Sequence, residues 1–152
     1  MTVKRIITAC LVLSLLSLAS SAFAQAGGKG RGMGGWGMGT KFQRMYNPAT
    51  VETISGTVES VNKVAPMKGM SYGIHLLVKT DKETIPVHLG PAWYMDKLGT
   101  KIEKGDKVEV KGSRVTMSGK PVIIAAEVIK DGSTVRLRDE KGIPVWAGRK
   151  GK

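Results

Sequence analysis

The chain has 152 residues, a formal charge of +12 and a single cysteine, at position 10. That length suits one domain with appendages. With no cysteine after Cys10, disulfides, thiolate metal sites, cysteine nucleophiles and c-type haem (which needs Cys-x-x-Cys-His) are excluded from the remainder of the chain.

Residues 1–24 have the pattern of a secretory signal peptide. Lys4 and Arg5 begin it, residues 6–18 are mostly apolar, and Ala22-Phe23-Ala24 supplies a small-x-small cleavage site. The apolar run is shorter than the ~20 residues that a membrane span needs, which favours cleavage over a retained anchor. A lipid anchor at Cys10 is rejected, because most of the apolar run would follow the cut. We therefore predict a periplasmic protein that begins at Gln25.

Cleavage would remove two basic residues and no acid, so the mature protein would carry a formal charge of +10. An excess of this size indicates a polyanionic partner or surface. For an exported protein the candidates are anionic lipid, cell-wall polymers or an acidic protein, and nucleic acid is not expected. The alternative is that scattered lysines only keep the protein soluble.

Residues 25–50 are predicted to form a flexible arm. Glycine takes half of the stretch "QAGGKGRGMGGWGMGT", which gives no apolar period and a high entropic cost of ordering. The stretch also carries Met33, Trp36 and Met38. Asn47-Pro48 is a turn signal that marks the entry into the folded domain.

Residues 51–64 are ambiguous between helix and strand. The apolar spacing is helix-like, but β-branched residues dominate and Gly56 interrupts the run. A long strand bent by a bulge at or near Gly56 reconciles the two patterns.

Two alternating strands follow, "YGIHLLVKT" and "ETIPVHLG". Their inward residues are predicted to be Ile74, Leu76, Val78, Ile85, Val87 and Leu89. His75 and His88 then lie on the opposite face, and Pro86 indicates an edge or interrupted strand.

The stretch "PAWYMDKLG" predicts a two-turn helix with Pro91 as its first residue and Gly99 as its cap. Two strands joined at residues 117–120 follow, and then a hairpin that turns at residues 139–142. The order predicts a mainly β, OB-fold-like barrel over residues 51–148, followed by a basic tail at 149–152.

Several strings resemble a known family when taken together: "SGTVESV", "HLGPAWYM", "KGDKVEVKGSRV", "KPVIIAAEV" and "LRDEKGIPVWAG". The sequence is similar to the domain shared by the magnetosome proteins MamS and MamX, and more loosely to periplasmic bacterial OB-fold proteins. The resemblance implies an exported accessory module, in some members associated with iron redox chemistry and magnetite crystal maturation. MamX-type proteins carry haem-attachment motifs, and this chain has none, so an electron-carrying role does not transfer.

No catalytic constellation is apparent, and the protein is not expected to be an enzyme. Only His75 and His88 are neutral-pH bases, and neither lies in a metalloenzyme spacing. The stretch "HLGPAWYM" is interpreted as a strand-to-helix corner anchored by Trp93, although a ligand role for His88 stays open.

Metal binding is the sharper alternative, because thioether sulfur is a soft ligand that suits Cu(I). The methionines also fit a role as gap-filling or surface residues. The candidate ligands are Met33 and Met38 in the arm, Met67 and Met70 in "MKGM", and His88.

Partner binding by the barrel face is the favoured prediction, since OB-folds use aromatic and basic side chains on one face. The candidate residues are Trp93, Tyr94, Trp146, Arg114, Arg136 and Arg138. The sequence thus predicts a non-catalytic periplasmic binding or accessory module that serves a metal or redox system through protein contacts. The alternative is a direct copper-binding protein.

Overall fold

The computed structural model describes residues 33–147, so the signal peptide, residues 25–32 and the basic tail lie outside the described part of the chain. No helix within that part is long and apolar enough to cross a membrane. The elements are α1 (Lys41–Met45), a 3-10 turn (Pro48–Thr50), β1 (Val51–Val64), β2 (Gly73–Lys79), β3 (Thr84–Pro91), α2 (Ala92–Met95), β4 (Lys107–Met117), β5 (Lys120–Lys130) and β6 (Ser133–Arg136).

The strands form a closed five-stranded barrel, which confirms the predicted mainly β, OB-like class. They are hydrogen-bonded in the order β3-β2-β1-β4-β5, and a parallel pairing of β3 with β5 closes the ring. That closing pairing joins Val87 to Ile123 and His88 to Ile124. The predicted C-terminal hairpin consists of β6, which pairs with β5, and a turn that closes a bridge between Arg138 and Pro144.

The barrel interior contains five of the six predicted inward residues of β2 and β3, and the sixth, Ile74, is only partly buried. Leu76, Val78, Val87 and Leu89 have no exposed surface, and Ile85 is 1 % exposed. Strict alternation in the sequence was therefore a reliable guide here, because side chains along a strand point to opposite faces.

The bulge in β1 lies at Glu59, three residues beyond the predicted position. The register with β2 shifts between Val58 and Ser60, whereas the pairing with β4 runs without a break past Gly56. Gly56 has another role: a Cβ added there would lie 2.3 Å from the carbonyl oxygen of Lys79 on β2. The glycine therefore permits a close approach of β1 to β2.

Gly56→Ala is expected to lower the free energy of unfolding by about 1–3 kcal/mol, the usual cost of overpacking. The atom that the new methyl group would meet belongs to the backbone of Lys79, so the two strands must separate. Urea unfolding measures the effect, with Ser55→Ala as the control because Ser55 is exposed on the same strand. Equal stability of the two variants would contradict this explanation.

Helix α2 is shorter than predicted. Pro91 is the last residue of β3 and caps the helix, which ends at Met95. The amide hydrogens of Lys97 and Leu98 then donate to the carbonyls of Tyr94 and Met95, so the chain leaves in tighter turns. Gly99 has φ +69° and ends this turn region as expected.

Residues 33–50 are folded against the barrel, where the sequence predicts a flexible arm. Trp36, Phe42 and Tyr46 are 1 %, 2 % and 8 % exposed. The amide hydrogen of Asn47 donates to the buried hydroxyl of Ser113 on β4 (3.0 Å). We call residues 33–46 the covering segment. Its few large apolar residues, and not its glycine content, decide its structure, because burying them offsets the entropic cost.

Candidate functional site

The covering segment lies on the outer face of β2 and β3, which is the face that OB-folds use for ligands. The indole Nε1 of Trp36 donates to the carbonyl of Ser71 (3.0 Å) just before β2. Gly73 makes room for this ring, because a Cβ there would lie 2.2 Å from it. The ring of Phe42 meets His88 of β3 edge-on at 5.9 Å. The protein's own chain thus occupies the expected ligand face.

His88 lies beneath this segment, against Phe42, and His75 stacks on His88. Their ring centroids are 4.9 Å apart and the planes differ by 25°. Burial lowers the pKa of both, and burial followed by the charges of His75 and Arg138 brings the pKa of His88 to about 4. Nδ1 of His75 is buried without a hydrogen-bond partner among the described residues. The lone pair of an imidazole nitrogen lies in the plane of the ring, and the planes of these two rings are nearly parallel. The lone pairs of His75 and His88 therefore do not converge on one point, so this pair is not arranged to chelate one ion.

The methionines predicted as copper ligands lie in different environments. Met33, Met67 and Met70 pack against the core, whereas Met38 is 52 % exposed. The sulfur of Met33 lies over Gly37. Within residues 33–147, no three His, Cys, Asp or Glu side chains are grouped as a metal site would require. Copper binding through these methionines and His88 stays a prediction from the sequence.

The predicted aromatic residues form a continuous row of edge-on and tilted ring contacts, which we call the aromatic stack, at the end of the barrel that carries α2. The ring of Trp93 meets Tyr94 at 6.3 Å, and Tyr94 meets Trp146 at 5.2 Å. Trp146 is 8 % exposed, and its Nε1 donates to the carbonyl of Trp36 (2.9 Å). Trp93, which the corner interpretation treats as an anchor, is instead 36 % exposed at the outer end of this stack.

The backbone of Tyr72 lies next to α2, although Tyr72 is not among the residues predicted from the sequence. Its carbonyl accepts a hydrogen bond from the amide of Ala92 (2.9 Å), which holds Tyr72 next to the start of α2. The residue is 66 % exposed. The sequence signal that could have identified Tyr72 is its position just before β2, at the end of a strand. We call Tyr72, Trp93, Tyr94 and Lys97 the aromatic end; Nζ of Lys97 lies 6.0 Å from the Trp93 ring centroid.

The three predicted arginines do not form one surface. Arg114 forms ion pairs with Glu52 (2.7 Å) and Glu83 (2.8 Å), and both carboxylates raise its pKa. The two ion pairs link β4 to β1 and to the turn before β3. Arg136 is exposed and faces Glu127 at 3.4 Å. Arg138 is 2 % exposed, so it is not available as a surface contact.

A local irregularity after β6 explains the burial of Arg138. The amide hydrogens of Leu137 and Arg138 both donate to the carbonyl of Ala126, so the alternation of faces breaks as in a bulge. The alternation of residues in the sequence predicts Arg136 and Arg138 on the same face of the strand.

Arg138 completes the closure of the barrel. Its Nη1 donates to the carbonyls of Leu89 on β3 and Ala125 on β5, which follow directly after the residues of the parallel pairing. Its guanidinium lies 5.0 Å from the centroid of the Trp146 ring. One side chain therefore links the closing strands to the base of the aromatic stack.

The family profile described as the MamS/MamX magnetosome protein family matches residues 50–135, more than half of the chain. The match begins after the covering segment and ends just before Arg136, so it spans the barrel strands. The covering segment, Arg138 and Trp146 lie outside it. No curated protein matches the chain.

Proposed function

Because the chain belongs to the MamS/MamX magnetosome protein family, we propose that it is an exported, non-catalytic accessory module that docks a protein partner through its aromatic end. The observation that carries this proposal is the exposure of Trp93 and Tyr72 on a rigid base. The two residues are 36 % and 66 % exposed, and the backbone of Tyr72 is hydrogen-bonded to Ala92, the residue before Trp93. Tryptophan and tyrosine dominate the residues that carry binding energy in protein interfaces.

The base of the aromatic end is ordered before any partner arrives. Tyr94 packs on Trp146, whose Nε1 is hydrogen-bonded and whose ring contacts the guanidinium of Arg138. A partner that binds here would not have to order these side chains, which reduces the entropic cost of association.

The positive charge of the protein supports an acidic protein as the partner. The mature chain carries a formal charge of +10 after cleavage of its predicted signal peptide, and Lys97 lies beside the exposed indole of Trp93. Complementary charge speeds association and selects among partners more than it adds affinity. Tyr72 and Trp93 would therefore supply affinity, and Lys97 would help to select an acidic surface.

A non-catalytic role agrees with the location of the histidines. His88 lies beneath the covering segment with His75 stacked on it, and burial lowers the pKa of each. His88 contacts Phe42 and His75, not an open cleft. The two bases that catalysis near neutral pH would use are thus committed to packing.

Trp93→Ala and Tyr72→Ala are each expected to weaken partner binding at least about tenfold, as for residues that dominate an interface. The mature protein would be used to capture exported proteins of its host, and the affinity for the recovered acidic protein would be measured by calorimetry. Lys97→Ala should slow association, whereas the control Lys120→Ala should not, since Lys120 is exposed at the turn between β4 and β5. Unchanged affinity in both aromatic variants would contradict the proposal.

A further inference from the structure

Strand β1 loses its neighbour on one side before it ends. Its pairing with β4 stops at Thr57, and Val58 then forms backbone hydrogen bonds with residues 105–106. Its pairing with β2 continues to Val64. Within residues 33–147, no strand or loop forms a backbone hydrogen bond with residues 60–64 from the β4 side. We call residues 60–64 the free edge.

The free edge is accessible to another molecule. Val61, Asn62 and Lys63 follow one another along the strand, and all three are exposed. Because successive side chains of a strand point to opposite faces, three exposed residues in a row show that the strand is open on both faces. A strand edge with unpaired N–H and C=O groups is a template for pairing with another chain.

An apolar groove borders the free edge at Val61. The groove has a volume of ≈ 350 Å³, and its apolar lining includes Val61, Ile74, Met95 and Ile102. Val61 is 37 % exposed, although Leu76, its partner on β2, has no exposed surface in the barrel interior. The separation of β1 from β4 therefore leaves apolar surface uncovered, and a further strand placed beside β1 would remove that surface from water.

We propose that the free edge pairs with the free edge of a second copy of this chain, antiparallel and about a twofold axis at Val61. Val61 then lies opposite Val61 of the second copy, beside the apolar groove, and Ser60 lies opposite its Asn62. Glu59 of each copy comes to the end of the pairing where Lys63 of the other copy lies, so each end carries an acid and a base. The strand is thus complementary to itself, as an interface between identical copies requires.

The register follows from the same residues. Centring the pairing on Asn62 would place Lys63 opposite Val61 and leave Glu59 without a basic neighbour, which loses the cross-strand pairs that stabilise a sheet. The formal charge of +10 on each mature copy opposes association, so a weak dimer is expected. This dimer goes beyond the proposed function and does not depend on it.

Sedimentation equilibrium of the mature protein, Gln25 to Lys152, tests the pairing. The salt concentration would be about 0.15 M, where repulsion between exposed charges is screened beyond about 8 Å. A reversible monomer–dimer equilibrium is expected between about 10 and 1,000 µM protein, the range for a small interface. A protein that stays monomeric over this whole range would overturn the proposal.

Two variants of Val61 test the location of the axis. Val61→Asp and Val61→Lys each place like charges opposite each other, and each is expected to raise the dissociation constant of the dimer at least about tenfold. In an equimolar mixture the aspartate of one variant would face the lysine of the other. Native mass spectrometry should then show more heterodimer than either homodimer. Both variants should keep the fold, because Val61 is partly exposed, and circular dichroism checks this.

Lys120→Ala is the matched control, because it lowers the net charge by one unit, as Val61→Asp does. Lys120 is exposed at the turn between β4 and β5, away from the free edge. The control should dimerise at least as well as wild type, whereas Val61→Asp should dimerise less well. Weakening by Val61→Lys alone would indicate repulsion between net charges and overturn the proposal, and so would a mixture without preferred heterodimer.

Discussion

Trp36→Ala is expected to lower the free energy of unfolding by about 3–5 kcal/mol, the range for tryptophan truncated in a core. The side chain is 1 % exposed although it belongs to a glycine-rich stretch. It packs on Phe42 (5.0 Å) and Trp146 (6.3 Å), and its Nε1 donates to Ser71. Truncation would leave a cavity between the covering segment and Gly73, and would leave the Ser71 carbonyl without this donor. Urea unfolding of the mature protein measures the loss.

Met38→Ala is the matched control, because Met38 lies two residues further along the same segment and is 52 % exposed. Its stability should stay within about 0.5 kcal/mol of wild type, as for most surface substitutions. A Trp36→Ala protein as stable as the Met38→Ala protein would contradict the folded covering segment and would restore the flexible arm predicted from the sequence.

The free energy of unfolding is expected to fall by about 3 kcal/mol between pH 7 and pH 4 because of His88. The pKa of this residue is about 4 in the folded protein and 6.5 as its ordinary value, mainly because it is buried. In this window the unfolded chain binds a proton that folded His88 does not, so acid favours unfolding. The contribution is fully present above about pH 7 and is lost as the pH falls to the folded pKa. His75 adds in the same direction.

His88→Gln isolates this contribution, because a glutamine does not titrate. The variant should show a flatter dependence of unfolding free energy on pH between 6.5 and 4, with only the effect of His75 remaining. Glu83 and Asp106 have lowered pKa values and ordinary values of 4.5 and 3.8, so their loss of stability falls mainly at lower pH. An identical pH dependence in wild type and variant would contradict the burial of His88.

The barrel was predictable from the sequence because its rules are local. Ile85, Val87 and Leu89 alternate with outward residues and are all buried, as the alternation predicts, whereas the outward His88 is buried because Phe42 of the covering segment packs on it. Gly99 marks a turn for an equally local reason, because glycine readily adopts the positive φ found there. The matched family residues, 50–135, cover these strands.

The covering segment was not predictable by the same rules, because composition averages over a stretch while packing depends on single residues. Trp36 and Phe42 are held by Gly73 and His88, which come from strands more than thirty residues away along the chain. Their partners are therefore invisible in the local pattern. Because the covering segment lies on the outer face of β2 and β3, the candidate binding surface is the exposed aromatic end instead.

The candidate site was predicted in part. Trp93, Tyr94 and Trp146 do form one stack, but the exposed Tyr72 was missed because its role depends on a hydrogen bond to Ala92. Arg138 was expected on the surface with Arg136. The shared Ala126 carbonyl breaks the alternation, and a bulge of this kind leaves no clear mark in a sequence.

Site-specific photo-crosslinking in the native host tests the proposed docking function most directly. A photoreactive phenylalanine analogue would replace Trp93, Tyr72 or, as the control, Lys120, and the crosslinked products would be identified by mass spectrometry. We predict one and the same acidic exported protein from positions 93 and 72, and no such product from position 120. Products shared equally by all three positions, or a partner captured only from position 120, would contradict docking through the aromatic end.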